Sequence, residues 1–186
     1  MASQEYVSIK SPLDLMKLDL GDNFIGGKHL ELINDYLIRL LDESDDMHKL
    51  MVILPPRHGK SALCSTYFPA YIQCTQGNKK IIQVSYAKGL VEDFTRESRD
   101  IVKEYGLFPL DDSLQRQDEY KLARPYKGSV LGRGVGGGIT GKGADRYLVL
   151  GYLSGLSLSL MILSLVPMLL LILHRNRSFI IGIVEH

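Results

Sequence analysis

Apolar and polar positions along the chain follow two different spacings, and the change from one to the other divides it into elements. Leu30, Ile33, Leu37, Leu40 and Leu41 recur at three- and four-residue steps, which predicts an amphipathic helix from His29. The mixed, turn-rich stretch 1–28 before it reads as an entry arm, and the acidic stretch Asp42 to His48 as a loop. Lys49 to Leu54, "KLMVIL", is a short apolar run stopped by Pro55, which suits a parallel strand buried on both faces. "ALCSTYFPAYIQC" has helical character with a kink or break expected at Pro69, and Gln76-Gly77-Asn78 is a turn.

The same alternation continues downstream. Lys80 to Tyr86 is rich in β-branched and aromatic residues and predicts a second strand. Lys88 to Tyr105 predicts a second amphipathic helix with Leu90, Val91, Phe94, Ile101, Val102 and Tyr105 inside, stopped at Gly106. Leu107 to Gln117 reads as a loop, and Tyr120 to Arg124 with Ser129 to Gly134 as a hairpin around "PYKG". A glycine-rich loop, Val135 to Gly143, leads into "YLVL", Tyr147 to Leu150, the start of a further buried strand. Strands alternating with helices spell an α/β fold around a parallel sheet.

Composition changes this picture at one place. The 186 residues are 45% hydrophobic and 23% charged with mean hydropathy +0.01, ordinary averages for a globular chain. Yet no Asp, Glu, Lys, Arg or His occurs from Leu148 to Leu173. That run is long enough to span a bilayer, with Arg175 and Arg177 after it as an inside-facing flank. The net charge of +1 gives no bulk basic excess of the kind that marks nucleic-acid binders. Cys64 and Cys74 lack metal or redox spacing and read as structural thiols of a reduced, intracellular protein. The first ten residues do not have the charged-then-apolar order of a secretory signal.

Chemistry concentrates in "VILPPRHGKSAL", Val52 to Leu63. Gly59-Lys60-Ser61 is the tail of a phosphate-binding P-loop, lying between a predicted strand and a predicted helix. In such a loop backbone N–H groups wrap the phosphates and the helix points its positive end at them. Gly59 lets the backbone approach, Lys60 brings a point charge to the β- and γ-phosphates, and the Ser61 hydroxyl suits Mg²⁺. Arg57 and His58 lie inside the loop, with Arg57 a candidate to neutralise charge near the γ-phosphate. The first glycine of the usual motif is replaced by Leu54.

"LPPRHGKS" closely resembles the deviant P-loop of bacteriophage terminase large subunits, the ATPases that pump DNA into procapsids. "IIQVSYAKGLVEDFTRESRDIV", with Ser85-Tyr86, is similar to that family's second strand and helix, and "GRGVGGGITGKGADRYLVL" to its approach to the Walker B strand. The resemblance is collinear over about Lys28 to Leu150 and implies an ASCE-type P-loop ATPase fold: a parallel sheet flanked by helices, incomplete, followed by an apolar helical tail. It also implies ATP and Mg²⁺ as ligands at Gly59, Lys60, Ser61 and His58, with Arg57 as the family's loop arginine. The partners it implies are double-stranded DNA, a portal protein and a small terminase subunit, in the cytoplasm of a bacterial host. Arg96, Arg99, Arg116, Arg124 and Lys127 are candidates for DNA phosphate contact by composition.

The match breaks at the end of "YLVL". The family places two acids there, one for the Mg²⁺ shell and one for the attacking water. Here Gly151-Tyr152-Leu153 follow, and the next acid is Glu185. Asp145 precedes the strand, and Asp111-Asp112 belong to a proline-containing loop. The expected organisation is therefore an arm at 1–28, a partial ATPase domain at 29–150 and an apolar tail at 151–186. A reading-frame shift near Leu150 accounts for the change of composition, and hydrolysis is expected to be weak or absent. No acidic cluster suggests the family's nuclease domain. The alternatives are a membrane-tethered nucleotide-binding protein and a non-functional prophage remnant.

Overall fold

The computed structural model describes residues 9–55, 57–114, 116–137, 142–153 and 178–185, with 151–153 and 178–185 given by the course of their backbone. Six strands form one sheet in the order β1-β6-β5-β2-β4-β3. They are β1 (Lys49–Leu54), β2 (Lys80–Ser85), β3 (Glu119–Lys121), β4 (Ser129–Gly134), β5 (Arg146–Leu153) and β6 (Ser178–Glu185). All neighbours pair in parallel except β3, the edge strand, which runs antiparallel to β4 as the expected hairpin.

Helices α1 (Pro12–Leu20), α2 (Lys28–Leu41), α3 (Phe68–Gln76) and α4 (Lys88–Tyr105) supply the rest. The α2 stripe buries Leu30, Ile33, Leu37 and Leu40 as its spacing predicts. In α4, Val91, Ile101 and Val102 are buried, but Leu90 is 45% exposed and Phe94 only partly buried. The inner face of α4 is instead completed by Thr95 and Ser98, whose hydroxyls bond to the Val91 carbonyl at 2.7 Å and to the Tyr120 hydroxyl at 2.7 Å. Small polar residues thus enter the core because local partners satisfy them.

The handedness of parallel crossovers sorts the two faces. The connections β1–α3–β2 and β2–α4–β4 both advance in the same direction across the sheet, so right-handed crossovers put α3 and α4 on one face. Val52, Ile81, Val130 and Leu148 point into that main core with Leu15, Leu37, Leu63 and Phe68. The connection from β4 back to β5 runs the other way. It covers the opposite face, where Val135 and Ala144 pack on Ile82, Val84 and Leu131.

Three sequence expectations change here. The arm at 1–28 contains helix α1, capped by Ser11, whose hydroxyl accepts the Asp14 N–H at 3.0 Å. Its Leu13, Leu15 and Met16 are buried core, so this part of the arm belongs to the domain. Strand β1 is buried on one face only: Val52 is inside, while Met51 and Ile53 on the other face are 56% and 49% exposed. The boundary at Leu150 falls inside β5, which continues to Leu153 because Gly151, Tyr152 and Leu153 pair with Ile183, Val184 and Glu185 of β6. The tail is thus not wholly helical: its last stretch, Ser178–Glu185, is a strand between β1 and β5.

In the first six residues of the apolar run, 148–150 pair with strands on both sides of β5 and 151–153 with β6, so they cannot belong to a membrane-spanning helix. The remainder, 154–173, lies outside the described residues. Among the described residues no helix is long and apolar enough to cross a membrane.

Candidate nucleotide site

β1 delivers the chain to the C-terminal edge of the sheet, and the loop turns there into a helix. Gly59 has φ +73°, a left-handed conformation that costs a side-chain-bearing residue about 1–2 kcal/mol. Its carbonyl accepts the Leu63 N–H at 2.9 Å, the first bond of the helix that begins at Lys60. The N–H groups of Lys60, Ser61 and Ala62 therefore lie in the first helical turn, where no earlier turn of the helix can accept from them. They face the direction in which an anion is favoured. Arg57 is also left-handed, at φ +64°, the one non-glycine residue with positive φ among those described. Strain of this kind persists where surrounding structure holds it.

That holding comes from the arm and α2. A Cβ on Gly59 would stand 3.4 Å from Leu30 and 3.9 Å from Met16, so the loop rests on both helices. Nε2 of His29 donates to the His58 carbonyl at 3.0 Å, and the two imidazoles meet edge-on at 5.9 Å. Tyr67 donates to Asp19 at 2.7 Å and ties the following helix to α1. The sequence reading missed His29, Met16 and Asp19 because each acts across a distance in the chain that spacing does not reveal.

The helix after the loop is wound in two ways. Ala62–Tyr67 forms a π-helix, with the Phe68 N–H reaching the Leu63 carbonyl five residues back, before α3 resumes ordinary geometry. Pro69 stands at the start of α3 inside a helix that is continuous from Lys60, so it marks a change of winding and not a break; the Ser65 carbonyl, four residues back, accepts from a side chain instead. The π-turn is anchored to the sheet by Gln83, fully buried, whose amide donates to the Ser65 carbonyl at 2.9 Å.

The predicted residues divide by exposure. Lys60 is 4% exposed, and burial pushes its pKa below the ordinary lysine value. Cys64, one turn on, is buried with its thiol pushed up to about 12, so it stays neutral below Lys60. Ser61 is partly exposed and helical, while Arg57 and His58 are exposed on the loop. Gly59, Lys60 and Ser61 thus form one unit at the sheet edge, with Arg57 and His58 on its solvent side.

This arrangement fits the phosphate half of a nucleotide site: a left-handed glycine, a helix start and a buried cation follow one another without a gap. For Mg²⁺, Ser61 offers one hydroxyl. Among the described residues no group of three or more His, Cys, Asp or Glu could hold a metal. Such a site suits Mg²⁺ arriving with phosphates, since that ion keeps waters and takes only one or two protein ligands. Asp145 is at the opposite end of the sheet, where its carboxylate accepts the Lys80 N–H at 2.8 Å. Asp111 is folded into its own loop, accepting the Ser113 N–H and hydroxyl at 3.0 and 2.6 Å.

Of the basic residues considered for DNA, Arg99 donates to the Arg116 carbonyl at 3.5 Å. Arg96 pairs with Asp93 at 2.8 Å and Arg99 with Asp100 at 3.1 Å, both along α4. Lys127 instead joins Lys80, Lys121 and Lys142 around a cleft of 460 Å³ beside β2 and β4.

No protein-family model and no curated protein matches the sequence. Solved structures share its fold. The large terminase ATPase domain of Thermus phage P74-26, solved as a mutant, superposes with a TM-score of 0.60 at 12% identity, covering 95% of this chain and 71% of that one. A large terminase from a thermophilic bacteriophage gives a TM-score of 0.60 at 12% identity, covering 86% of this chain and 39% of that one.

Proposed function

The chain has the α/β P-loop fold of phage large terminase ATPase domains, and from that premise we propose that it is the ATP-binding part of a DNA-packaging motor. The observation that carries the reading is the Gly59-Lys60-Ser61 unit, set at the C-terminal edge of β1 with Gly59 left-handed and Lys60 opening the helix. In this reading the first-turn N–H groups and Lys60 hold the β- and γ-phosphates, and Ser61 meets Mg²⁺. Bound Mg²⁺ would neutralise charge on the phosphate oxygens. Arg57 and His58 take the outer side of the γ-phosphate.

β5 reaches the same edge without an acid, so hydrolysis is slow and binding is the primary activity. The partners are double-stranded DNA, a portal protein and a small terminase subunit, in the cytoplasm of a bacterial host. The lysine-lined cleft that includes Lys127 is the first surface to test for DNA.

Thermal unfolding with and without ATP·Mg²⁺ tests the reading. A ligand that binds only the folded chain stabilises it by about 2.7 kcal/mol at a hundred times its Kd. The midpoint should rise with ATP·Mg²⁺ concentration in the intact chain. An unchanged midpoint at millimolar ATP would contradict nucleotide binding.

A further inference from the structure

The loop between Leu54 and Lys60 has few donors to offer. Pro55 and Pro56 carry no N–H, so only Arg57, His58 and Gly59 precede the first-turn N–H groups of the helix. Among the described residues no acceptor takes the Gly59 N–H. The other half of that peptide is held. Its carbonyl, on His58, lies 3.0 Å from Nε2 of His29, and because a carbonyl accepts, Nε2 carries the hydrogen. The peptide is trans and planar, so fixing the carbonyl also fixes the N–H, on the side away from the His29 ring.

The ring is itself seated. Gly27, the residue before α2, has φ −172°, extended backbone open to any residue. A Cβ there would still stand 2.6 Å from Cε1 and 2.8 Å from Nδ1 of His29, well inside the roughly 3.5–4.0 Å of a good contact. Glycine at 27 is thus required by the imidazole beside it and not by its own backbone.

We propose that His29, seated by Gly27, is a positioning residue for the phosphates: it holds the His58–Gly59 peptide so that the Gly59 N–H joins those of Lys60, Ser61 and Ala62 as a phosphate donor. The inference rests on the nucleotide-binding reading above and names the part of α2 that sets its strength. Arg57 and Gly59, on either side of His58, are both left-handed, at φ +64° and +73°. A loop with two such residues relaxes unless it is held, and a bond at its midpoint selects one arrangement before ligand arrives. This preorganisation acts on phosphate donors, so it favours a triphosphate with or without a base.

The test is isothermal titration calorimetry of the full chain with ATP and with inorganic tripolyphosphate, each with Mg²⁺. His29→Ala should weaken both ligands about fivefold, the worth of one hydrogen bond, with the fold retained by circular dichroism. His29→Gln, whose amide still donates, should recover most of that loss. Gly27→Ala should weaken both ligands in the parent and change nothing further in His29→Ala, because the ring it displaces is gone. Unchanged affinity in His29→Ala overturns the proposal, as does a loss confined to ATP, which would put His29 at the base. A His29→Gln protein no better than His29→Ala, or an equal loss from Gly27→Ala in both backgrounds, overturns it too. Should His29→Ala not fold, folded Gly27→Ala decides: weaker tripolyphosphate binding supports the proposal, and unchanged binding refutes it. Absence of binding of either ligand by the intact chain overturns the nucleotide reading, and this proposal with it.

Discussion

The Lys80 N–H donates to Oδ2 of Asp145 at 2.8 Å, and the Asp145 N–H returns to the Lys80 carbonyl at the same distance. This reciprocal pair fixes the register of β5 against β2 at the edge opposite the P-loop. It makes the acid of "GAD" a structural residue. Asp145→Ala should lower stability by about 1 kcal/mol, the worth of a partly exposed hydrogen bond. Urea denaturation measures that loss. ATP affinity, measured on the same protein, should not change; a tenfold loss would mean that Asp145 serves the site.

Gly59 makes a separate claim about backbone. Because its φ is +73°, Gly59→Ala should cost about 1–2 kcal/mol even though the new methyl finds ordinary contact with Leu30 at 3.4 Å. The loss should appear as a lower urea midpoint in the absence of ligand. A midpoint equal to the parent's would show that the loop does not need the left-handed turn.

Lys60 predicts a pH dependence of definite sign. Burial lowers its pKa, so the unfolded chain holds the proton more firmly than the folded one. The resulting cost is fully present below the folded pKa and disappears as pH rises through it toward the unfolded value of about 10.4. Lys60→Met should therefore melt at a higher temperature than the parent at neutral pH, and the gap should close as pH approaches that value. A gap constant with pH would exclude a buried charged lysine as its cause.

Much of this fold was legible in the sequence wherever a periodic face met a single partner. The α2 stripe and α4 boundaries followed from spacing, and the β3–β4 hairpin from its turn residues. The loop was legible because its chemistry is local: glycine, lysine and serine are consecutive. What escaped were effects set by distant chain. Met51 and Ile53 look like core by composition, but α3 and α4 share the other face, which the hydrophobic run alone cannot reveal. Leu90 sits on the helical stripe yet is exposed, because Thr95 and Ser98 take the inner positions through hydrogen bonds. His29 and Met16 support the loop from elements that show no motif. The place of Ser178–Glu185 between β1 and β5 depends on strand order, which no window of sequence encodes.

The most direct measurement is the equilibrium affinity for ATP·Mg²⁺ of the intact chain beside Lys60→Ala. A buried lysine that carries the phosphate charge should make the variant bind at least tenfold more weakly, a difference of about 1.4 kcal/mol, with its fold retained by circular dichroism. Equal affinity in the two proteins would contradict the account, because the loop would then hold no phosphate.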